Sequence, residues 1–177
     1  MHPGAALFLT RCHIPHPAPV VFEVGARDHN GRARDYLPTL PARWVGFDLL
    51  AGPGVDVVGD AAELLPEWGQ CDVVVSTEVL EHCERWSLLL HRMAAAVRDG
   101  GWLVVTCAGS GREAHGADGG PLLPGEHYGN VSVDEVVEVV ERHGFATLTA
   151  EEVNGDTRYF GRKVGAGVVA ARELEVV

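Results

Sequence analysis

The chain has 177 residues, a length that suits one domain with its own core. With 46% hydrophobic and 22% charged residues it lies near the globular average, which excludes a disordered or fibrous protein. The formal net charge of −11 disfavours a nucleic-acid partner. A phosphate backbone is attracted where basic residues cluster, and the densest group, Arg27, Arg32 and Arg34, is interrupted by Asp28 and Asp35.

No apolar run reaches the roughly 20 residues that span a bilayer. The opening MHPGAALFLTRCHIPHP has neither the basic start nor the long apolar stretch of a secretory leader. No membrane association and a cytoplasmic location are therefore expected. Cys12, Cys71, Cys83 and Cys107 form no C-x-x-C pair and read as reduced, largely buried thiols. Cys12, His13 and His16 lie close together, but they offer only three ligands within a proline-rich stretch. No metal site is expected.

Residues 1–19 show no readable period and are taken as an N-terminal extension. The first strand is expected at Val20–Val24, ending at Gly25. Further short strands are expected at Trp44–Asp48 and Val55–Val58, then at the valine runs Asp72–Ser76 and Trp102–Cys107. Such runs suit strands buried on both faces, as in parallel sheets. A helix is predicted over Arg85–Arg98, stopped by Asp99-Gly100-Gly101. A second is predicted over Ser132–His143, where Ser132 and Glu135 form a capping box and Val136, Val137 and Val140 an apolar stripe. Phe145–Val153 and Thr157–Val164 follow, joined through Asn154-Gly155-Asp156, a hairpin signal. Residues 165–177 read as a tail, with a short helix expected at Ala170–Leu174.

This alternation predicts an α/β domain over residues 20–164: one Rossmann-like, doubly wound, mostly parallel sheet with an antiparallel C-terminal hairpin strand. The glycine-rich stretch 108–130 has no helical period and reads as a lid over an active site.

In open parallel sheets, ligands bind at the carboxyl ends of the strands. The first strand runs into Glu23-Val24-Gly25-Ala26-Arg27. Arg27 stands where a dinucleotide fingerprint needs its second glycine, which argues against a nicotinamide-dependent oxidoreductase. Asp48 ends the second strand, where a carboxylate can accept hydrogen bonds from two ribose hydroxyls. Asp60, after the third strand, can accept a donor from a base edge.

The ordered series VFEVGARDHNG, VGFDLLAGPGVDVVGDAAEL, DVVVSTEVLEH and RDGGWLVVT resembles the class I S-adenosylmethionine-dependent methyltransferases, in particular the small-molecule branch described as methyltransferase type 11. The resemblance covers roughly residues 20–164. It implies S-adenosyl-L-methionine as cofactor and a small-molecule methyl acceptor. Glu23 and Gly25 match the motif that lines the methionine part, with Arg27 as a clamp for its carboxylate. Asp48, followed by Leu49, matches the ribose-binding acid. Asp60 and Ala61 match the pair beside the adenine, and Ser76, Thr77 and Glu78 match the loop near the sulfonium and the acceptor. The departure from the family pattern is Ala26-Arg27-Asp28, where many members carry further glycines.

Methyl transfer needs alignment and exclusion of water above all, and an oxygen acceptor must also lose a proton. The candidate catalytic groups are Glu78, His82 and His127. His115 is expected to be solvated and Trp86 to pack in the core. The degenerate first motif motivates an alternative reading: a weak or inactive methyltransferase-like binding or partner subunit. A homo-oligomer or a partner chain is compatible with either reading.

Overall fold

A computed structural model of the chain describes residues 2–28, 31–38, 42–66 and 69–165; the helix expected at 170–174 lies outside them. Among the described residues seven strands form one sheet: β1 (Val20–Val24), β2 (Arg43–Asp48), β3 (Val57–Val58), β4 (Cys71–Thr77), β5 (Val97–Ala108), β6 (Phe145–Val153) and β7 (Asp156–Lys163). Their order is β3-β2-β1-β4-β5-β7-β6. The first five strands pair in parallel, and β7 is antiparallel to both of its neighbours. The fold is thus the expected α/β, mostly parallel sheet.

Strand alternation divides the core in two. Phe22, Val24, Val74, Leu103 and Val105 face α2 (Ala61–Leu64), α3 (Trp86–Ala96) and α4 (Val133–Glu141). Val21, Val73, Val75, Val104 and Phe160 face the other way. That second face is covered by α1 (Pro3–Arg11) and a 3-10 turn at Ala33–Asp35.

Helix α1 lies inside the stretch that read as having no period. Its buried residues Ala5, Phe8 and Leu9, with Cys12 just beyond, follow i, i+3, i+4, i+7 spacing, but the run is too short to stand out in the sequence. Pro3 opens it, and the His2 side chain accepts the Gly4 N–H at 3.3 Å. Phe8 and Leu9 join a cluster with Trp102 and Phe160, whose rings stack at 5.3 Å.

Helix α3 is shorter than predicted, ending at Ala96 instead of Arg98. The carbonyls left open by a helix end need donors, and sheet neighbours supply them. Buried Lys163 Nζ donates to Ala94 and Val97 at 2.9 and 2.7 Å, and the Gly69 and Gln70 N–H groups donate to Ala95 and Ala96. Val97 therefore passes directly into β5, and Gly100 (φ +82°) turns the chain within that strand instead of capping the helix. β3 is likewise shorter than the expected 55–58 strand.

Helix α4 starts as predicted from the Ser132–Glu135 capping box, with Val139 rather than Val137 completing the fully buried stripe. Asn154 and Gly155 both have positive φ, as a two-residue type I′ hairpin requires.

The His91 and His143 rings join α3 to the end of α4 through a 2.8 Å Nδ1–Nε2 contact. Burial, then the neighbouring His91 and Lys163, holds the His143 pKa below its ordinary value. The native state therefore binds fewer protons here than the unfolded chain, so this contribution is complete above about pH 6.5 and is lost as pH falls through the folded value. Urea midpoints at pH 7.5 and 5.5 are expected to differ more in the wild type than in His143→Gln.

Candidate active site

A cavity of about 1080 Å³ opens at the carboxyl ends of β1, β2 and β4. It lies above the β1–β4 pair, where strand order reverses, the usual ligand position in such sheets. Of the residues singled out in the sequence, Gly25, Arg27, Asp48, Leu49, Asp60, Ala61, Thr77, Glu78, His82 and His127 line it. Glu23 and Ser76 are not among the lining residues; both are buried.

Glu23 is turned toward the face covered by the 3-10 turn. Its carboxylate accepts from the Ala33 N–H at 2.8 Å and from Arg34 Nε and Nη2 at 3.1 and 3.0 Å. Burial raises its pKa, and those donors oppose the rise. Instead of forming a wall, Glu23 ties down the chain that follows β1. Gly25 is the wall: its φ is +78°, and an added Cβ would lie 2.2 Å from Val79 Cγ2, so a side chain has neither conformation nor space. The Arg27 guanidinium is partly buried, with Nη2 at 3.7 Å from Asp118 and Nε without a partner.

Asp48 accepts from the Arg27 N–H at 3.1 Å and the Leu50 N–H at 3.0 Å. These bonds fix the carboxylate and leave each oxygen a lone pair. Leu49 is 69% exposed at the rim. Asp60 caps α2 through the Ala62 N–H at 2.8 Å and pairs with Arg85 at 2.6 Å. The Arg85 partnership has no sequence signal, since the two residues lie far apart in the chain.

Glu78 follows β4 with φ +57°, an uncommon conformation for a non-glycine residue that clusters at functional sites. Its N–H donates to Thr106 O at 2.8 Å, and its carboxylate accepts from Thr106 Oγ1 at 3.0 Å and Arg112 at 2.9 Å. Arg112 also pairs with fully buried Asp156, which receives Arg158 at 3.2 Å and lies 3.2 Å from His2 Nδ1. Arg112 thereby fastens the loop after β5 to the ends of β4 and β7, and the start of α1 lies beside Asp156. Arg112 sits among glycines and polar residues with no period to mark it.

Deeper in the cleft, a 3-10 turn at Leu80–His82 brings Glu81 and His82 beside the loop. His115, expected to be solvated, instead packs edge-on against His82 at 5.2 Å and Tyr128 at 4.9 Å. Glu81 is fully buried; burial, then neighbouring Glu78, pushes its carboxyl up to about 8. Burial also lowers the His82 pKa. Glu81 Oε2, His82 Nδ1 and Tyr128 Oη have no hydrogen-bond partner among the described residues, and a buried polar atom left so costs about 1–3 kcal/mol. His127 is exposed at the rim. Trp86 packs against the core, as expected.

Of the four thiols, Cys83 lines the cleft and the other three are buried. All four cysteines are free, and burial pushes Cys12 and Cys71 up to about 12. Cys12 donates to Phe8 O, while His16 lies 3.3 Å from Asp72, so the N-terminal cluster does not converge. Among the described residues no helix is long and apolar enough to cross a membrane.

A family profile described as a methyltransferase domain matches residues 13–150. No curated protein matches the sequence. Among solved structures, Burkholderia thailandensis 1,6-didemethyltoxoflavin-N1-methyltransferase, bound to 1,6-didemethyltoxoflavin and S-adenosylhomocysteine, superposes with a TM-score of 0.64 at 19% identity, covering 91% of this chain and 77% of that one. A putative methyltransferase in complex with the Haloferax volcanii Trm112 methyltransferase activator gives 0.66 at 13% identity, covering 90% and 89%. Haemonchus contortus phosphoethanolamine N-methyltransferase 2 with S-adenosyl-L-methionine gives 0.63 at 18% identity, covering 85% of this chain and 38% of that one. The chain belongs to the methyltransferase domain family. Its fold is that of the class I S-adenosylmethionine-dependent enzymes.

Arg112→Ala removes the cation between Glu78 and Asp156. Hydrogen bonds to charged groups contribute about 1.5–3 kcal/mol, so the variant is expected to unfold at lower urea and to be cut faster by protease within residues 109–131.

Proposed function

We propose that this S-adenosylmethionine-dependent methyltransferase acts on a small, neutral or cationic acceptor held between the strand ends and the loop 109–131. The observation that carries this reading is the charge of the cleft, which six carboxylates (Asp48, Asp60, Glu78, Glu84, Asp118, Glu126) and three arginines (Arg27, Arg85, Arg112) line. An acidic cleft attracts cations and repels phosphate-rich polymers and free anions. Small-molecule methyltransferases among the structural neighbours support the small size of the acceptor.

The cofactor supplies a methyl group on a positively charged sulfur. The residues fit its parts. Asp48, held by two backbone donors, keeps lone pairs for adjacent ribose hydroxyls. Ala61 and Asp60 flank the position for the adenine, with Leu49 at the rim. Bare Gly25 lets the methionine portion approach the backbone, and the unpartnered Arg27 Nε suits its carboxylate. Thr77 and Glu78 border the acceptor side, and Ser76 supports them from within the sheet.

Glu78 is tied to Thr106 and Arg112, which holds the loop over the acceptor and still leaves each of its oxygens a lone pair. His127 at the rim is the residue to hydrogen-bond the nucleophile, with Glu78 and His82 behind it. The loop then serves as the lid that excludes water.

Two observations favour a partner-dependent reading. Leu49, Leu50, Val58 and Leu64 are exposed near the β3 edge, and a neighbouring structure contains an activator protein.

Calorimetric titration with S-adenosylhomocysteine tests the cofactor site. Wild type is expected to bind and Asp48→Ala to bind at least about tenfold more weakly, as the loss of charge-assisted hydrogen bonds implies. Methyl-labelled cofactor added to a cell extract is expected to label the acid-soluble fraction. Label confined to precipitated protein or nucleic acid contradicts the small-molecule reading, and S-adenosylhomocysteine binding that appears only with a second chain favours the partner-dependent one.

A further inference from the structure

We infer that Glu81, His82 and His115 bind a divalent transition-metal ion of borderline softness, with Zn²⁺ the representative, at the inner end of the cleft. The sequence gives no ligand spacing that announces it, because His115 comes from the loop and the other two from the 3-10 turn after β4. One ligand atom from each residue lies within 4.8 Å of the other two. In a tetrahedral zinc site with bonds of about 2.0–2.2 Å, ligand atoms lie roughly 3.3 Å apart. A modest side-chain movement of His115, carried on the loop, closes the difference.

What distinguishes the cluster from ordinary polar packing is its hydrogen bonding. His115 Nδ1 is 3.0 Å from the Glu113 carbonyl. A carbonyl only accepts, so Nδ1 carries the proton and Nε2 keeps a lone pair. His82 Nδ1 is buried and has no hydrogen-bond partner among the described residues. Metal-bound imidazoles are held as His115 is, one nitrogen on a carbonyl and the other on the ion. Glu81 repeats the pattern: Oε1 accepts from the Ala108 N–H at 3.1 Å, and Oε2 has no partner. These three groups thus converge without satisfying one another, and a divalent cation that displaces the Glu81 proton satisfies all three.

Two imidazoles and one carboxylate favour Zn²⁺ or a similar ion over Mg²⁺ or Ca²⁺, which prefer oxygen ligands. The Tyr128 ring packs against both imidazoles and closes one side. His82 and His115 also line the cleft, so the open coordination position faces it. The ion would fasten the loop to the turn after β4, on the side away from Asp48. The inference does not depend on which acceptor is methylated.

Tag-free protein stripped with chelator is titrated with Zn²⁺ by calorimetry, and Co²⁺ is added in parallel to read its visible absorption. One Zn²⁺ per chain is expected, with affinity at least tenfold lower in His115→Ala and in His82→Gln and unchanged in His13→Ala. Excess Mg²⁺ is expected not to compete, and Zn²⁺ is expected to slow proteolysis within residues 109–131. Circular dichroism checks that each variant folds; if His82→Gln does not, the loop variant His115→Ala decides. Folded wild type that takes up no Zn²⁺ overturns the site and leaves a proton on Glu81 as the occupant. Zn²⁺ bound equally by wild type and His115→Ala also overturns it, as does binding lost only in His13→Ala.

Discussion

A carboxylate buried inside the sheet shapes the cleft without standing in it. Glu23 lies near the end of β1, on the face where hydrophobic packing is expected, and it is retained there because three donors surround it. A buried ion pair of this kind contributes little net stability against an apolar replacement, and losing one partner is expensive. Its effect is on geometry. With Ala33 and Arg34 bound to Glu23, and Arg34 also donating to the Gly54 carbonyl at 3.2 Å, the segments after β1 and after β2 are held together. Arg27 and Asp48 then meet through a backbone hydrogen bond, and Gly25 turns against Val79.

The opposite wall is fixed by a different charge cluster. Arg112 joins Glu78 to Asp156, and His2 reaches Asp156 from the start of α1. The N-terminal helix, the last strand and the glycine-rich loop therefore converge on one side of the cleft. One wall is set by hydrogen bonds local to β1 and β2. The other depends on contacts between segments far apart in the chain, 34 residues for Glu78 with Arg112 and 44 for Arg112 with Asp156.

That difference decides what the sequence could reveal. Valine-rich runs separated by amphipathic stretches are enough to read a parallel sheet, because burial on both faces demands them. The Ser132 cap and the Asn154-Gly155 turn are local chemistry and were legible residue by residue. So were Gly25, Asp48, Asp60 and Thr77 as cleft residues, since they end or directly follow strands. Helix α1 escaped because four apolar positions over two turns do not rise above a proline-rich background. Glu23 reads in the sequence as part of the ligand wall, and only the pleat of β1 reveals that it points away from the cleft, toward Arg34. Arg112 and His115 had no signal at all, since a loop without a period does not announce which side chains fold back.

The most direct test of this account is a double-mutant cycle on cofactor-product affinity. Glu23→Gln, Arg34→Ala and the double variant would be titrated with S-adenosylhomocysteine. If Glu23 acts by holding the chain after β1, each single variant weakens binding about tenfold or more, and the double variant is little worse than either, because residues acting as a unit are strongly non-additive. Loss of affinity in Glu23→Gln alone, with Arg34→Ala unchanged, would mean that Glu23 touches the ligand itself and would contradict the account.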